Sequence, residues 1–135
     1  MHIIPAPGRL KSGGNTYIEA PTRLMREMFL DFLVRNAAYH RPWVYHSDDL
    51  QYFDHYLQRI KRGVTQGCFI RDRKNDALVG VVNINNILLG GIRSASLGYY
   101  GEEAYAGSGY MTEGMALVLR YAVESLGLHR LEANI

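Results

Sequence analysis

The residues with the clearest chemical potential are two glycines separated by one residue, Gly107 and Gly109, directly before a segment of helical periodicity. Glycine lets the backbone approach a ligand closely, and the first N–H groups of a helix have no partner within the helix. These N–H groups also lie at the positive end of the helix dipole, so the turn could hold a phosphate group. The alternative is an ordinary tight loop into a core helix, and Gly-x-Gly alone does not separate the two.

The same stretch disfavours two other phosphate-binding motifs. A Rossmann dinucleotide turn needs a third glycine where this chain has Thr112, and it needs a parallel strand before the turn. A P-loop needs Gly-Lys-Ser or Gly-Lys-Thr, which the sequence does not contain. A phosphate site here would therefore be of another kind.

Few other side chains suggest chemistry by their spacing. Asn83 and Asn85 alternate along a predicted strand and share a face, where they either bind a substrate backbone or face water. The single cysteine, Cys68, excludes an intrachain disulfide, and its apolar neighbours indicate a small buried side chain. The five histidines lack metal-ligand spacing. We expect no metal site.

Composition limits the class of protein. With 135 residues, 47% of them hydrophobic, the chain predicts one domain with a real core. A net charge of +2 without a basic tract argues against nucleic-acid binding. No run is long enough for a membrane span, and the N-terminus does not have the pattern of a signal peptide, so we expect a cytoplasmic protein with no membrane partner.

The periodicity predicts the order β-α-α-β-β-β-α-β, an α+β fold with one β-α-β crossover at its end. Met1 to Gly14 is predicted to be an irregular leader. The last helix is predicted to bury Met111, Met115, Val118, Leu119, Ala122 and Leu126, and the first to bury Leu24, Met25, Met28, Phe29, Phe32 and Leu33. Predicted strands are 15–19, 67–72, 77–85, 92–100 and 128–135; predicted helices are 22–36, 47–63 and 111–126.

The chain ends on a predicted strand with an apolar last residue, Ile135. A strand presented with nothing beyond it leaves an open sheet edge. We therefore expect residues 1–135 to form a single domain that is incomplete at its C-terminus.

Three stretches together resemble the GNAT acetyltransferases: Leu97-Gly98-Tyr99, the residues from Tyr105 to Glu113, and the residues from His129 to Asn134. Within that family they are most similar to the ribosomal-protein alanine N-acetyltransferases, and the resemblance covers nearly all of the chain after Asn15. It implies the GNAT acyl-CoA N-acyltransferase fold, a mixed, mostly antiparallel sheet flanked by helices, here without its C-terminal helix and strands.

The resemblance also implies an acetyl-CoA site with no metal. The pyrophosphate would lie on the Gly-rich turn, with the N–H groups of Gly107, Gly109 and Tyr110 most exposed to it. Where the family commonly has Gln or Arg before the turn, this chain has Ala104. The implied acetyl-CoA-binding residues are Leu97, Gly98, Tyr99, Tyr105, Ala106, Gly107, Ser108, Gly109, Tyr110 and Met111.

For the reaction, the resemblance implies direct attack of an amine on the thioester, with Glu132 as general base. The alternative for Glu132 is a solvent-facing strand residue paired with Arg130. Trp43, with Tyr39 and Arg41, either walls the acceptor cleft or packs in the core. The residues that we assign to substrate binding are Trp43, Asn83 and Asn85.

The implied function is acetyl transfer to a primary amine, the N-terminal amino group of a protein. The alternatives are a non-catalytic acetyl-CoA-binding module and an acetyltransferase for small amines. The expected partners are acetyl-CoA and the acceptor amine, with a homodimer as a possible assembly.

Overall fold

The structure is a computed structural model that describes residues 8–40 and 50–133. The strands of this part form one six-stranded sheet whose spatial order follows the chain. Its strands are β1 (Gly8–Ser12), β2 (Thr16–Ala20), β3 (Gln66–Asp72), β4 (Leu78–Leu88), β5 (Ser94–Gly101) and β6 (Arg130–Ala133). Its helices are α1 (Arg26–Arg35), α2 (Ala37–His40), α3 (Leu50–Lys61) and α4 (Tyr110–Glu124), with single 3-10 turns at Arg23–Met25 and Glu103–Tyr105.

The sheet is antiparallel from β1 to β5, and only the last pair, β5 and β6, is parallel. The parallel pair needs a crossover, which α4 supplies. Apart from the additional β1 and α2, the predicted α+β order is therefore confirmed, as are the hairpin of β3 and β4 and the final β-α-β unit.

Each face of the sheet carries its own apolar core. One core lies against α4 and contains Ile18, Cys68, Ile70, Val82, Ile84, Leu97, Val118, Tyr121 and Ala122 among others. The other lies against α1 and α3 and is largely aromatic, with Phe29 stacked on Phe69 at 5.6 Å between ring centroids. β3 and the first half of β4 are covered on both faces, and they therefore contain the continuous apolar runs 67–70 and 78–82.

The prediction of an irregular leader up to Gly14 is wrong for Gly8–Ser12, which form β1. A hydrogen bond from the Gly13 N–H to the Thr16 carbonyl, 2.8 Å long, closes a hairpin that pairs β1 with the edge of β2. The composition of this segment gives no strand signal, because its pairing partner determines the conformation. Residues 1–7 lie outside the described part.

Two predicted core positions are also wrong. Leu24 is 96% exposed, since it lies in the 3-10 turn ahead of α1. Leu119 is 39% exposed, because the face of α4 that meets the sheet is rotated toward Leu117 and Tyr121. Both errors come from assigning an apolar stripe to a helix whose orientation is set by packing.

The end of α4 follows the prediction. Gly127 has a φ of 68°, and the Leu128 N–H bonds to the Ala122 carbonyl at 3.0 Å. The turn directs the chain back beside β5, where the N–H groups of His129 and Arg130 both bond to the Arg93 carbonyl. Every helix in the described residues is too short or too polar to span a bilayer.

Candidate functional site

The Gly-rich turn leads directly into α4 and adopts a conformation that needs glycine. Gly107 has a φ of 74° and Gly109 a φ of 85°, both in the left-handed region. A Cβ atom built on either residue meets no other atom within 4 Å. The backbone conformation, rather than crowding by the protein, therefore requires glycine here, and the space above the turn is open.

The N–H groups of this turn divide into those bonded within the protein and those without an acceptor among the described residues. The Ser108 N–H bonds to the Tyr105 carbonyl at 3.1 Å, and the Tyr110 N–H is directed to the Ser108 hydroxyl oxygen at 3.3 Å. The four remaining N–H groups of the turn and the first helical residues have no hydrogen-bond acceptor among the described residues. They belong to Gly107, Gly109, Met111 and Thr112. These donors lie at the positive end of a 15-residue helix.

Among the described residues, the edge of β5 that faces β6 is unpaired beyond its midpoint. The parallel ladder joins Ser94 to Leu97 of β5 with Arg130 to Ala133 of β6, whereas β5 continues to Gly101. In the described part of the chain, the side of β5 that faces β6 therefore has no strand partner after Leu97. This open stretch, which contains Gly98 and Tyr99, leads toward the Gly-rich turn.

A cleft of about 670 Å³ connects these two features. The end of β5 and the Gly-rich turn form most of its wall, and the end of α2 adds Tyr39 and His40. The His40 Nε2 atom lies 2.8 Å from the Gly101 carbonyl oxygen, which makes Nε2 the protonated nitrogen and ties α2 to β5. The cleft thus offers a polar backbone edge at one end and free N–H groups at the other.

Glu102 joins the end of β5 to α1. It is 8% exposed and accepts hydrogen bonds from the Arg35 Nε and Nη2 atoms at 2.9 and 2.6 Å. Asn36 accepts a hydrogen bond from the Glu103 N–H at 2.9 Å. Burial of Glu102 opposes its ionisation, but the hydrogen bonds from Arg35, Asn36 and the Ala104 N–H outweigh it and lower its pKa.

Two further carboxylates, those of Asp72 and Glu113, hold the Gly-rich turn and the start of α4 in place. Asp72, at the end of β3, accepts a hydrogen bond from the Tyr105 hydroxyl at 2.7 Å and one from the Lys74 N–H at 2.8 Å. These bonds, with that of the Lys74 N–H the stronger influence, lower the pKa of Asp72. Glu113, in the first turn of α4, accepts hydrogen bonds from Asn15 and Thr16, and the Thr16 hydroxyl contributes most to lowering its pKa.

Comparison with known proteins identifies this architecture. The model of the acetyltransferase (GNAT) domain matches residues 19–135, which is most of the chain. The chain belongs to the GNAT acetyltransferase family. The predicted resemblance and the predicted fold are thereby confirmed.

Two curated relatives have similar sequences. The probable N-acetyltransferase YjcK of Bacillus subtilis is 35% identical over 80 residues, 59% of this chain and 44% of that protein. The ribosomal protein uS5-alanine N-acetyltransferase of Escherichia coli is 32% identical over 68 residues, 50% of this chain and 34% of that protein. The matched region therefore spans less than half the length of either relative.

Solved GNAT structures share the fold. The structure of Mycobacterium smegmatis RimJ in complex with CoA-disulfide has a TM-score of 0.79 and 19% identity, over 96% of this chain and 66% of that chain. At this identity the similarity concerns the fold alone.

In this GNAT domain, the predicted site residues Asn83, Asn85 and Glu132 lie on one face of the sheet. Asn85, Ser96 and Glu132 are register partners across β4, β5 and β6, and their side chains therefore share the face that α3 partly covers. The Asn85 Oδ1 atom accepts a hydrogen bond from the Thr65 hydroxyl at 3.2 Å. Asn83 lies on the same face and accepts a hydrogen bond from the buried Tyr56 hydroxyl at 2.5 Å.

Glu132 pairs with Ser96 in the ladder of β5 and β6, next to its last described pair, Leu97 and Ala133. Its side chain is 66% exposed, and its Oε1 atom lies 3.4 Å from Nη2 of Arg130. It lines a smaller depression of about 410 Å³ with Ser94 and Ser96 rather than the main cleft. The structure thus shows the ion pair that is the alternative reading of Glu132, on a side chain that remains accessible. Trp43 lies outside the described residues.

Sequence reasoning missed the residues that hold the turn in place. Arg35, Asp72, Glu102 and Glu113 have no short-range pattern that marks them, because each bonds to a partner 33 or more residues away. A weak signal was available for Glu102, since an acidic residue directly after an apolar strand needs a partner if it is buried.

Cys68 is fully buried, and burial raises its pKa to about 12, so the predicted buried thiol is confirmed. In the described ranges, 8–40 and 50–133, no group of three or more metal-binding side chains occurs.

Proposed function

We propose that this protein transfers an acetyl group from acetyl-CoA to a primary amine, the N-terminal amino group of a protein. Family membership and the names of both relatives support the reaction class, and the name of the Escherichia coli relative supports the acceptor. The observation that carries the proposal is the set of four free N–H groups at the start of α4, above which there is open space at Gly107 and Gly109.

The turn fits the pyrophosphate of acetyl-CoA in both charge and shape. Backbone N–H groups at a helix N-terminus bind phosphate oxygens, and the helix dipole stabilises the negative charge. A side chain at Gly107 or Gly109 would occupy the space where the phosphates lie. The remaining residues of the turn, Tyr105, Ala106, Ser108, Tyr110 and Met111, would line the same seat.

The open edge of β5 fits the extended pantetheine arm. Amide groups of the arm can pair with the free backbone groups around Leu97, Gly98 and Tyr99 as an added strand would. A free N–H group in this stretch can also stabilise the negative charge that develops on the thioester oxygen during acyl transfer.

For the chemistry, acetyl-CoA supplies a thioester carbonyl that is activated for attack. Glu132 would take the proton that the attacking amine must lose, directly or through one water. Its accessible side chain lies one residue before the last described pair of the two parallel strands. Cys68 has no part in this scheme, because its thiol is buried and remains protonated. Asn83, Asn85 and Trp43 are the proposed contacts for the acceptor.

Binding of acetyl-CoA by the full-length protein tests the phosphate seat. We expect Gly109→Ala to weaken acetyl-CoA binding by about tenfold or more, measured by isothermal titration calorimetry. The matched control is Gly63→Ala, since Gly63 has a φ of 79° but lies at the end of α3. Both changes should cost about 1 kcal/mol of stability through the left-handed conformation, but only Gly109→Ala should affect binding. Equal acetyl-CoA affinity of the two variants would contradict the seat.

Turnover separates an enzyme from a binding module. The full-length protein should release CoA in the presence of a peptide with an N-terminal alanine, and it should do so faster than with a polyamine. Acetyl-CoA binding without turnover on any amine would sink the enzymatic proposal, and preference for the polyamine would move the acceptor to small amines.

A further inference from the structure

Glu113 is held by the turn between β1 and β2, far along the chain. Its carboxylate accepts hydrogen bonds from the Asn15 N–H at 3.0 Å, the Asn15 Nδ2 atom at 3.2 Å and the Thr16 N–H at 2.7 Å. The hydroxyl of the fully buried Thr16 donates a fourth hydrogen bond. All four donors belong to the hairpin, and none belongs to α4.

This arrangement differs from the usual role of a glutamate in the first turn of a helix. A carboxylate in this turn is stabilised by the positive end of the helix dipole, and it can fold back to accept a hydrogen bond from an N–H group at that end. A serine, threonine or aspartate at the N-cap would satisfy another of these donors, but the N-cap here is Gly109, which has no side chain. Both of these caps are therefore missing from α4, and the N–H groups of Met111 and Thr112 stay available.

We propose that the hairpin of β1 and β2 keeps the Glu113 carboxylate away from the anion-binding end of α4, so that Asn15, Thr16 and Glu113 act as positioning residues for the phosphate seat. The proposal rests on the acetyl-CoA function proposed above. A carboxylate released from the hairpin would compete with phosphate for the N–H groups of Met111 and Thr112, and it would repel the phosphate charge.

Two neighbouring glycines in the hairpin turn offer a matched test. A Cβ atom on Gly13 would lie 2.8 Å from the Glu113 Oε2 atom, which must then shift, whereas a Cβ atom on Gly14 meets nothing within 4 Å. Neither glycine has a positive φ, so alanine fits the backbone at both positions. Gly13→Ala thus displaces the carboxylate without deleting a hydrogen-bonding group, and Gly14→Ala is its control.

We expect Gly13→Ala to weaken binding of acetyl-CoA to the full-length protein by about fivefold, and Gly14→Ala to leave it unchanged. The double variant Gly13→Ala/Glu113→Gln should regain most of the affinity, because the displaced side chain is then uncharged. Thr16→Val, which removes one donor at nearly constant volume, should weaken binding in the same direction, and Thr16→Val/Glu113→Gln should restore it.

Recovery of acetyl-CoA affinity when Glu113→Gln is added distinguishes this role from a structural one in which Glu113 only anchors the hairpin. Glu124→Gln provides the second control, because Glu124 pairs with Lys11 at 2.8 Å and also ties α4 to β1, but at the far end of the helix. We expect it to leave acetyl-CoA affinity unchanged. Thermal unfolding of each variant shows whether the fold is retained.

The wild-type protein could bind acetyl-CoA while Glu113→Gln restores the acetyl-CoA affinity of neither Gly13→Ala nor Thr16→Val. In that case the positioning role is wrong and the proposed function stands. An equal loss of affinity in Glu124→Gln or Gly14→Ala would also overturn it, since docking of the hairpin as a whole would then be the cause. If the wild-type protein does not bind acetyl-CoA at all, the proposed function fails and this inference fails with it.

Discussion

At the scale of single residues, the proposed phosphate seat depends on side chains that are absent. Gly107 and Gly109 take up left-handed conformations that other residues adopt only at a cost, and their missing Cβ atoms leave open space above the turn. The nearby acidic side chains of Glu102 and Asp72 are held by hydrogen bonds that direct them into the protein. The turn can therefore lie beside several acidic residues and still present donors.

Glu132 is the residue whose predicted role is most open to test. We expect Glu132→Gln to lower kcat by about 100-fold with an alanine-terminated peptide, because the amide cannot accept the amine proton. Acetyl-CoA affinity should not change, since Glu132 is not part of the turn. Steady-state kinetics and calorimetry measure the two quantities. Glu27→Gln, a change at an exposed position of α1, is the control, and an unchanged kcat in Glu132→Gln would remove this residue from the reaction.

At the scale of elements, α4 is placed by its close approach to β3. Gly114 is buried in α4, and a Cβ atom there would lie 2.4 Å from the Cγ2 atom of Ile70 in β3. The helix can approach the sheet this closely because position 114 has no side chain. The position of its N-terminus, and therefore of the free N–H groups, follows from this contact.

Gly114→Ala tests this contact. Alanine favours a helix by about 1 kcal/mol over glycine, but we expect the clash with Ile70 to prevail and lower the free energy of unfolding by about 1–3 kcal/mol. Urea denaturation measures the change, and Ala116→Gly at an exposed position of α4 calibrates the propensity effect alone. In the Ile70→Ala background the penalty of Gly114→Ala should shrink or reverse. A more stable Gly114→Ala single variant would show that the helix and the sheet are not in such close contact.

At the scale of the whole molecule, carboxylates connect segments that are distant in the chain. Glu102 joins β5 to α1, Glu113 joins α4 to the first hairpin, and Glu124 joins α4 to β1. Each of the three has a pKa below its ordinary value. For Glu102, burial raises the pKa but the hydrogen bonds outweigh it. The largest cause is the Thr16 hydroxyl for Glu113 and Lys11 for Glu124. A lowered pKa in the folded state means that the unfolded chain binds more protons during acidification.

The resulting stability is present above the ordinary pKa of a carboxyl group and is lost as the pH falls through the lowered values. We expect the free energy of unfolding to fall between about pH 6 and pH 3. Glu102→Gln should cost about 1–2 kcal/mol at pH 7 but show a shallower acid dependence, so that its curve converges with that of the wild-type protein at low pH. Urea titrations at several pH values measure both curves.

Glu103→Gln is the control for this prediction, because Glu103 is the exposed neighbour of Glu102. Its curve should run parallel to the wild-type curve. Parallel curves for Glu102→Gln as well would show that the Arg35 contact has no part in acid stability.

The sequence by itself determined the features that depend on neighbours in the chain. Glycine spacing predicted the turn before α4, and Gly127 predicted the end of that helix. Apolar periodicity predicted the order of all helices except α2 and of all strands except β1. These are local properties, because a preference for positive φ or a repeat of apolar positions belongs to the residues of the segment itself.

Tertiary structure alone decided what holds the turn in place and which faces are buried. Glu113 and Thr16 are 97 residues apart, Arg35 and Glu102 are 67 apart, and β1 exists only because β2 offers it an edge. No pattern within a segment encodes such partners, since a carboxylate has the same sequence signature whether it faces water or a distant hairpin. The sequence therefore predicted the N–H donors for an anion. Only the folded structure showed that the nearest carboxylate, Glu113, bonds to the hairpin instead of to these donors.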